Sequence, residues 1–398
     1  MSKYKKHCRY FSKVLIYTSF KVGFAIIIFF LVIDYTISSL LNASSQKIYD
    51  FNSNGFYKLN KNVNTYEVSG GKIYNVLTDK YGFRTSVDKI HNKDLQNKYD
   101  VIFLGDSQVY GMDKYENSLV YLFEKKTTLS TLNAGVPSYS PTTYLHTYSE
   151  VLNNNLLRSK HIVILYLDIS DVHDEASRWT TLDDYKIYNY NIKLKKNYLS
   201  KQPSDLTSIL LNNYSNQIKK PLNKSFKSYI IKHFKLSVIF YRLVKFNLYG
   251  INYTDILFNS SRSAFTWKEW SDLDANYFWD DYSGYKPLGV KIGLEKLKLK
   301  IFEISKLALD HNAELYILIT PWPSQIKYSD SIFSWVAYIN QICDFIKCNG
   351  AINTVDTFRD YSKSNINWYK EIYINGDIHF SRFGNEIILR DLVKSIGK

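Results

Sequence analysis

The chain has 398 residues, 45% hydrophobic and 22% charged, with a net charge of +14. That apolar content excludes a disordered chain and allows one large domain, or two modest ones, around a buried core. The positive charge suits an anionic membrane surface or an acidic glycan; no basic-aromatic RNA motif, zinc-finger spacing or recognition-helix pattern accompanies it, so no nucleic-acid partner is expected.

Residues 1–13 form a basic flank carrying Lys3, Lys5, Lys6, Arg9 and Lys13. Residues 14–41, VLIYTSFKVGFAIIIFFLVIDYTISSLL, are long enough to cross a bilayer, which takes about 20 apolar residues. The flank that follows carries little charge, so the basic end is expected in the cytosol and the rest of the chain outside it. This describes a single-pass anchor in a bacterial inner (cell) membrane, in contact with its lipids. Residues 42–98 are polar and Asn-rich, a spacer ending in TDKYGFRTSVD as an edge strand or hairpin. From residue 99 short apolar runs recur at YDVIFLG, TLNAGV, HIVILYLD, AELYILITP and AINTVDTF (351–358). Runs apolar on both faces are what buried parallel strands require. Helical patterns fall between them at 118–127, 142–157, 288–310 and 331–348, with a last helix at 383–396. The alternation predicts an α/β fold, a three-layer α/β/α sandwich on a five-stranded parallel sheet. Residues 173–285 break the alternation and are read as a helical insertion or cap. They include the basic amphipathic stretch at 223–247 and Trp267, Trp270 and Trp279, for which packing is expected. Of three cysteines, Cys8 lies on the cytosolic side, and Cys343 and Cys348 share one predicted helix; buried free thiols are expected.

The candidate chemistry lies at strand ends. FLGDSQVYG places Ser107 directly after the first core strand, at the edge where open parallel sheets bind ligands. A serine needs a base to act as a nucleophile, and NGDIHFSRFGNEI brings Asp377 and His379 into the loop before the last helix, at the same edge. Gly-Asp-Ser by itself is also an ordinary turn with a helix cap. The two blocks together resemble the SGNH (GDSL-type) hydrolase family, here in a membrane-anchored form, over residues 99–172 and 286–398. The resemblance implies a flavodoxin-like fold, no cofactor or metal, and a triad of Ser107 as nucleophile, His379 as base and Asp377 as its orienting acid. In the family the Asp generally lies three residues before the His; here Asp377 lies two before.

The intermediate blocks differ from the family's. LNAGVPSYSP has Ser138 where a glycine amide normally helps form the oxyanion hole, and YLDISDVHDE has Ser170 where an asparagine is usual. Ser138, Ser170 and Asn133 are therefore oxyanion candidates, and Asp168, Asp171 and Trp322 are candidates for facing substrate. Asp168 or Asp171 can equally cap the following segment, and Trp322 can equally pack in the core. Asp168, Asp171, His173, Asp174 and Glu175 match no metal-ligand spacing. The function implied is an anchored serine esterase acting on O-acyl, such as O-acetyl, groups of an envelope polysaccharide or glycolipid. An O-acyltransferase for such a glycan, and a non-catalytic glycan-binding or assembly factor on the same fold, are the alternatives.

Overall fold

The computed structural model describes residues 17–37, 48–50, 56–69, 72–91, 98–179, 234, 237, 290–327, 333–374 and 377–397. The basic stretch at 223–247, apart from residues 234 and 237, and Trp267, Trp270 and Trp279 lie outside these residues, as does Cys8. The chain divides into two units, Met1–Ser45 with Pro203–Ile251, and Gln46–Gln202 with Asn252–Lys398.

In the first unit, α1 (Tyr17–Ile37) is a 21-residue helix long and apolar enough to cross a membrane, about 30 Å at 1.5 Å per residue. Its outward side chains, from Phe20 to Ile37, are almost all exposed. Asp34, near its carboxyl end, is buried, and its carboxylate accepts the Ser237 N–H at 2.7 Å.

In the second unit the sheet is built from β5 (Tyr99–Gly105), β6 (Thr131–Gly135), β7 (Leu157–Leu167), β8 (Glu314–Ile319) and β9 (Gly350–Asn353). All neighbours are parallel, in the order β6-β5-β7-β8-β9. Alternation along β5 shows why both faces are apolar. Ile102 and Leu104 join a core formed with α5 (Pro141–Asn153), α6 (Ser170–Ser177), α7 (Val290–Asp310) and α9 (Trp335–Ile346). Val101 and Phe103 join a second core with α4 (Leu119–Thr127), α10 (Val355–Ser364), α11 (Trp368–Ile372) and α12 (Arg382–Ile396). Two helical layers thus cover the sheet. Because β6 and β7 flank β5 on opposite sides, the winding reverses there, at the switch point beyond whose strand carboxyl ends open α/β sheets bind ligands.

Four local departures from the sequence reading follow from side-chain chemistry. Residues 56–91 are more than a spacer. They form β2 (Lys58–Leu59), which pairs with β1 (Tyr49–Asp50), the antiparallel pair β3 (Asn64–Ser69) and β4 (Lys72–Leu77), and α2 (Val87–His91). Leu59, Tyr74 and Val76 from this segment are buried in the first core. Residues 173–179 of the expected insertion belong to the core, since α6 runs to Ser177 and Trp179 is buried beyond it; apart from residues 234 and 237, the rest of 173–285 lies outside the described residues. The strand expected at 351–358 stops at Asn353, because Asn353 Oδ1 accepts the Val355 N–H at 2.9 Å and starts α10.

Cys343 and Cys348 are joined as a disulfide, with Cα atoms 5.0 Å apart, where free thiols were expected. Lys347 ends α9 in the left-handed region, at φ 54°, and turns the chain back so that the Cys348 N–H reaches Cys343 O at 3.0 Å. A five-residue spacing that separates two cysteines on a continuous helix thereby becomes a bridging distance. Alkylation of the purified protein without reductant is expected to leave Cys343 and Cys348 unmodified, with both labelled after reduction. Full labelling by mass spectrometry before reduction would contradict the pairing.

Candidate active site

Ser107 begins α3 (Ser107–Tyr110), a single turn. A helix that short is unstable alone, and side chains from three segments hold it. Asp106 caps it, its Oδ1 accepting the Gln108 N–H at 2.8 Å. Asn133, in the middle of β6, donates from Nδ2 to Val109 O at 2.9 Å, while its Oδ1 takes the Gly135 N–H. Gly135 itself allows the contact, since a Cβ there would stand 2.2 Å from Tyr110 N. Arg84, 2% exposed, takes the far end: Nη1 donates to Tyr110 O at 2.6 Å and to Gly111 O, and Nη2 to Asp113 O at 2.6 Å. Its guanidinium also lies 4.4 Å from the Tyr110 ring, with Tyr74 and Tyr115 nearby. A cation against the carbonyls that end a helix turn is favourable, and its positive charge is spread over aromatic faces.

The base comes from the loop before α12. An antiparallel bridge pairs Tyr373 with Phe380, and inside it Ile374 N–H donates to His379 O and Asp377 N–H to Ile374 O, at 2.8 and 2.9 Å. Gly384, in the first turn of α12, lets that helix press against the loop, because a Cβ would lie 2.3 Å from Ile372 O. His379 Nδ1 is 2.6 Å from Asp377 Oδ1, and His379 Nε2 is 2.8 Å from Ser107 Oγ. With Nδ1–H donated to the carboxylate, Nε2 is free to accept the Ser107 hydroxyl proton. The Ile378 N–H donates to the same Asp377 oxygen at 2.7 Å and fixes its direction. The shorter Asp-x-His spacing thus still brings carboxylate and imidazole into contact. Ser107 is only partly buried and can be reached from outside.

The charges around this chain of hydrogen bonds are unusual. Burial pushes the His379 imidazole down, but the Asp377 carboxylate, with Asp106 and Asp168, outweighs it and leaves the group above its ordinary 6.5. Asp106 is pushed up to about 8, by burial first and by Asp168 second. Asp168 is raised mainly by burial, against hydrogen bonds from Ser170 that lower it. Asp171 is raised well above the carboxylate range by burial and by its two acidic neighbours.

The remaining sequence candidates take distinct places. Ser170 Oγ and N–H both donate to Asp168 Oδ1, at 2.5 and 2.7 Å, so the hydroxyl closes the turn after β7. Asp171 accepts the Asp168 N–H at 2.9 Å and the Tyr144 hydroxyl at 2.7 Å, and is 2% exposed. The side-chain amide of Asn133 is engaged under α3, as above. Trp322 is buried, with its indole close enough to Asp168 to favour the carboxylate. Ser138 sits in the left-handed region at φ 61°, and its carbonyl accepts the Trp179 indole N–H at 2.9 Å. Beside it, Glu175 takes the Ser140 hydroxyl and the Thr142 N–H, each at 2.6 Å, and lies 3.4 Å from the buried Lys296. This fixes the 136–140 loop at the start of α5. Among the described residues no group of three or more His, Cys, Asp or Glu side chains is arranged to hold a metal ion.

No family model matches the chain, and no curated protein does. Two solved structures are similar to it in outline. One is a point mutant of an acetyl-xylooligosaccharide esterase from Geobacillus stearmophilus, at 9% identity and a TM-score of 0.37, covering 75% of this chain and 94% of that one. The other is a GDSL-like lipase of Parabacteroides merdae, at 10% identity and a TM-score of 0.35, covering 76% and 98%. Likenesses this loose say nothing about chemistry; the arrangement of Ser107, His379 and Asp377 does.

Sequence reading missed Arg84, Gln108 and the Glu175–Lys296 pair as parts of the site's frame. None carried a local signal: Arg84 lies in TDKYGFRTSVD, Glu175 in SDVHDEAS and Lys296 in GLEKLKLK, all polar stretches, and Gln108 reads as one more turn residue. Asp106 supplies a test of the electrostatics. Its raised pKa means that its contribution to stability is fully present below the ordinary carboxyl value of 3.8 and is lost as pH rises through about 8. Asp106→Asn keeps an acceptor for the Gln108 N–H and carries no charge. The melting temperature of the variant relative to wild type is therefore expected to rise between about pH 5 and about pH 9. A difference that stays constant with pH would contradict the assignment.

Proposed function

We propose that this protein is a serine esterase of the SGNH type, anchored in a cell membrane and acting outside the cytosol on O-acyl groups of an envelope polysaccharide or glycolipid. The observation that carries the reading is the unbroken path from Ser107 Oγ to His379 Nε2 and from His379 Nδ1 to Asp377, at 2.8 and 2.6 Å. In the proposed reaction Ser107 Oγ attacks the ester carbonyl while His379 takes its proton. The tetrahedral intermediate then collapses, the C–O bond to the alcohol breaks, and His379 returns the proton to the leaving oxygen. Water, deprotonated by the same imidazole, cleaves the acyl-enzyme and releases the acid. The amide N–H groups of Ser107 and Ser138 are the donors proposed for the oxyanion, since the Ser170 hydroxyl and the Asn133 amide are engaged elsewhere. Transfer of the acyl group to a sugar hydroxyl would use the same acyl-enzyme, and analysis of the products distinguishes the two.

Full-length protein in detergent is expected to hydrolyse a small activated acetyl ester. Ser107→Ala and His379→Ala should each lower kcat by at least about a thousandfold with the melting temperature unchanged. Wild-type turnover in Ser107→Ala would end this reading. The reaction needs neutral His379, so kcat/KM should rise with pH through an apparent pKa above 6.5. Asp377→Asn removes the carboxylate that raises the imidazole, so its acid limb should shift to lower pH while kcat falls sharply.

The placement outside the cytosol is supported by the α1 helix, by the basic flank before it, and by the Cys343–Cys348 disulfide, a bond that persists in oxidising compartments and is rare in the cytosol. A reporter that folds only where disulfides form, fused after Lys398, is expected to be active. Activity from a cytosol-only reporter at the same site would reverse the proposed topology.

A further inference from the structure

Gln108 follows the proposed nucleophile and is 7% exposed. Its Nε2 donates to Ile378 O at 3.1 Å, and its Oε1 accepts the Phe380 N–H at 3.2 Å. One side chain therefore holds the backbone on both sides of His379, across 270 and 272 residues of sequence. The orientation of the amide is decided by these partners, because the flipped group would set NH₂ against an N–H and oxygen against a carbonyl. Together with the Ser107–His379 bond itself, these two hydrogen bonds join α3 to residues 378–380.

We propose that Gln108 is a positioning residue that registers the His379 loop against Ser107, so that imidazole and hydroxyl meet in line. Nucleophile and base stand on separate segments, and each segment has its own set of supports. The distance between them depends on how the two segments dock, and Gln108 spans that junction with a donor and an acceptor of fixed geometry. An apolar side chain of equal volume would fill the space and leave Ile378 O and the Phe380 N–H unpaired, each costing stability in that register. The loop would then relax, and a shift of about 1 Å at a reacting pair is enough to lower a rate about a hundredfold.

The inference rests on the esterase reading only for its kinetic test, so a second readout independent of turnover is used. This is the low-field proton resonance of His379 Nδ1–H, shared with Asp377. In Gln108→Ala, kcat is expected to fall about a hundredfold with KM little changed, and the resonance should broaden away through exchange with water. Gln108→Glu gives the decisive comparison. Neutral, the introduced carboxyl is isosteric with the amide and can donate to Ile378 O while accepting from Phe380 N–H; ionised, it can only accept. The ionisable groups around it are Asp106, whose carboxylate takes the Gln108 N–H, Asp168, whose charge acts on Asp106, and the pair His379 and Asp377. The ratio of kcat in Gln108→Glu to wild type, which divides out the wild-type pH limb, should rise about tenfold as pH is lowered from about 8 to about 5. The low-field resonance should return over the same range. A pH-independent ratio, or wild-type kcat with the resonance intact in Gln108→Ala, overturns the proposal. If wild type hydrolyses no ester, the esterase reading fails and the resonance in the two variants alone decides the role of Gln108. If Gln108→Ala does not fold, the Gln108→Glu series decides it.

Discussion

A one-turn helix bearing the proposed nucleophile has to be held at the rim of a sheet, and most of the site's frame follows from that constraint. α3 contains four residues and cannot supply its own stability. Asp106 satisfies an amide at its start, Asn133 a carbonyl in its middle, and Arg84 the carbonyls at its end. Gly135 removes the side chain that would keep α3 off β6. These contacts come from β5, β6 and the segment before the sheet, so the orientation of one serine depends on parts far apart in sequence. The result is a serine preset for attack, with little freedom left to lose when a substrate binds.

The second constraint is electrostatic. Asp106, Asp168 and Asp171 are all buried beneath the junction of α3 and the β7 turn. Burial opposes ionisation of each, and mutual repulsion opposes it further. Ser170 and Tyr144 donate their hydroxyls to this cluster, to Asp168 and Asp171, and are satisfied internally. The negative charge that remains favours a protonated His379, the form required after proton transfer from Ser107. The cluster thus stabilises charge that develops at the base during the reaction proposed for the site.

The loop before α5 holds a serine in a conformation that favours glycine. Ser138 replaces a glycine in the block that it resembles and still adopts a left-handed conformation, at φ 61°. The strain of a non-glycine residue there is of order 1–2 kcal/mol. It is offset by neighbours on both sides: Trp179 takes the Ser138 carbonyl, and Glu175, neutralised by Lys296, takes the Ser140 hydroxyl and the amide of Thr142.

Sequence alone determined the layered α/β architecture, because strands buried on both faces must be apolar throughout and helices between parallel strands must repeat near every 3.6 residues. It also placed Ser107 and His379 at one edge, since every strand of a parallel sheet ends on the same side. The apolar N-terminal helix was equally legible, from length and composition. Tertiary structure decided the rest. That Arg84, in a polar and weakly patterned segment, would be buried against three tyrosines depends on a docking that no local period encodes. Gln108 reads locally as one more residue of a short turn, and its two partners lie about 270 residues away. Cys343 and Cys348 point apart on an unbroken helix, and only the reversal at Lys347 brings them together. Ser170 had two roles open to it, and its contact with Asp168 was settled by the turn after β7. Periodicity reports which face of an element is covered; which polar groups meet across elements is decided by how those elements pack.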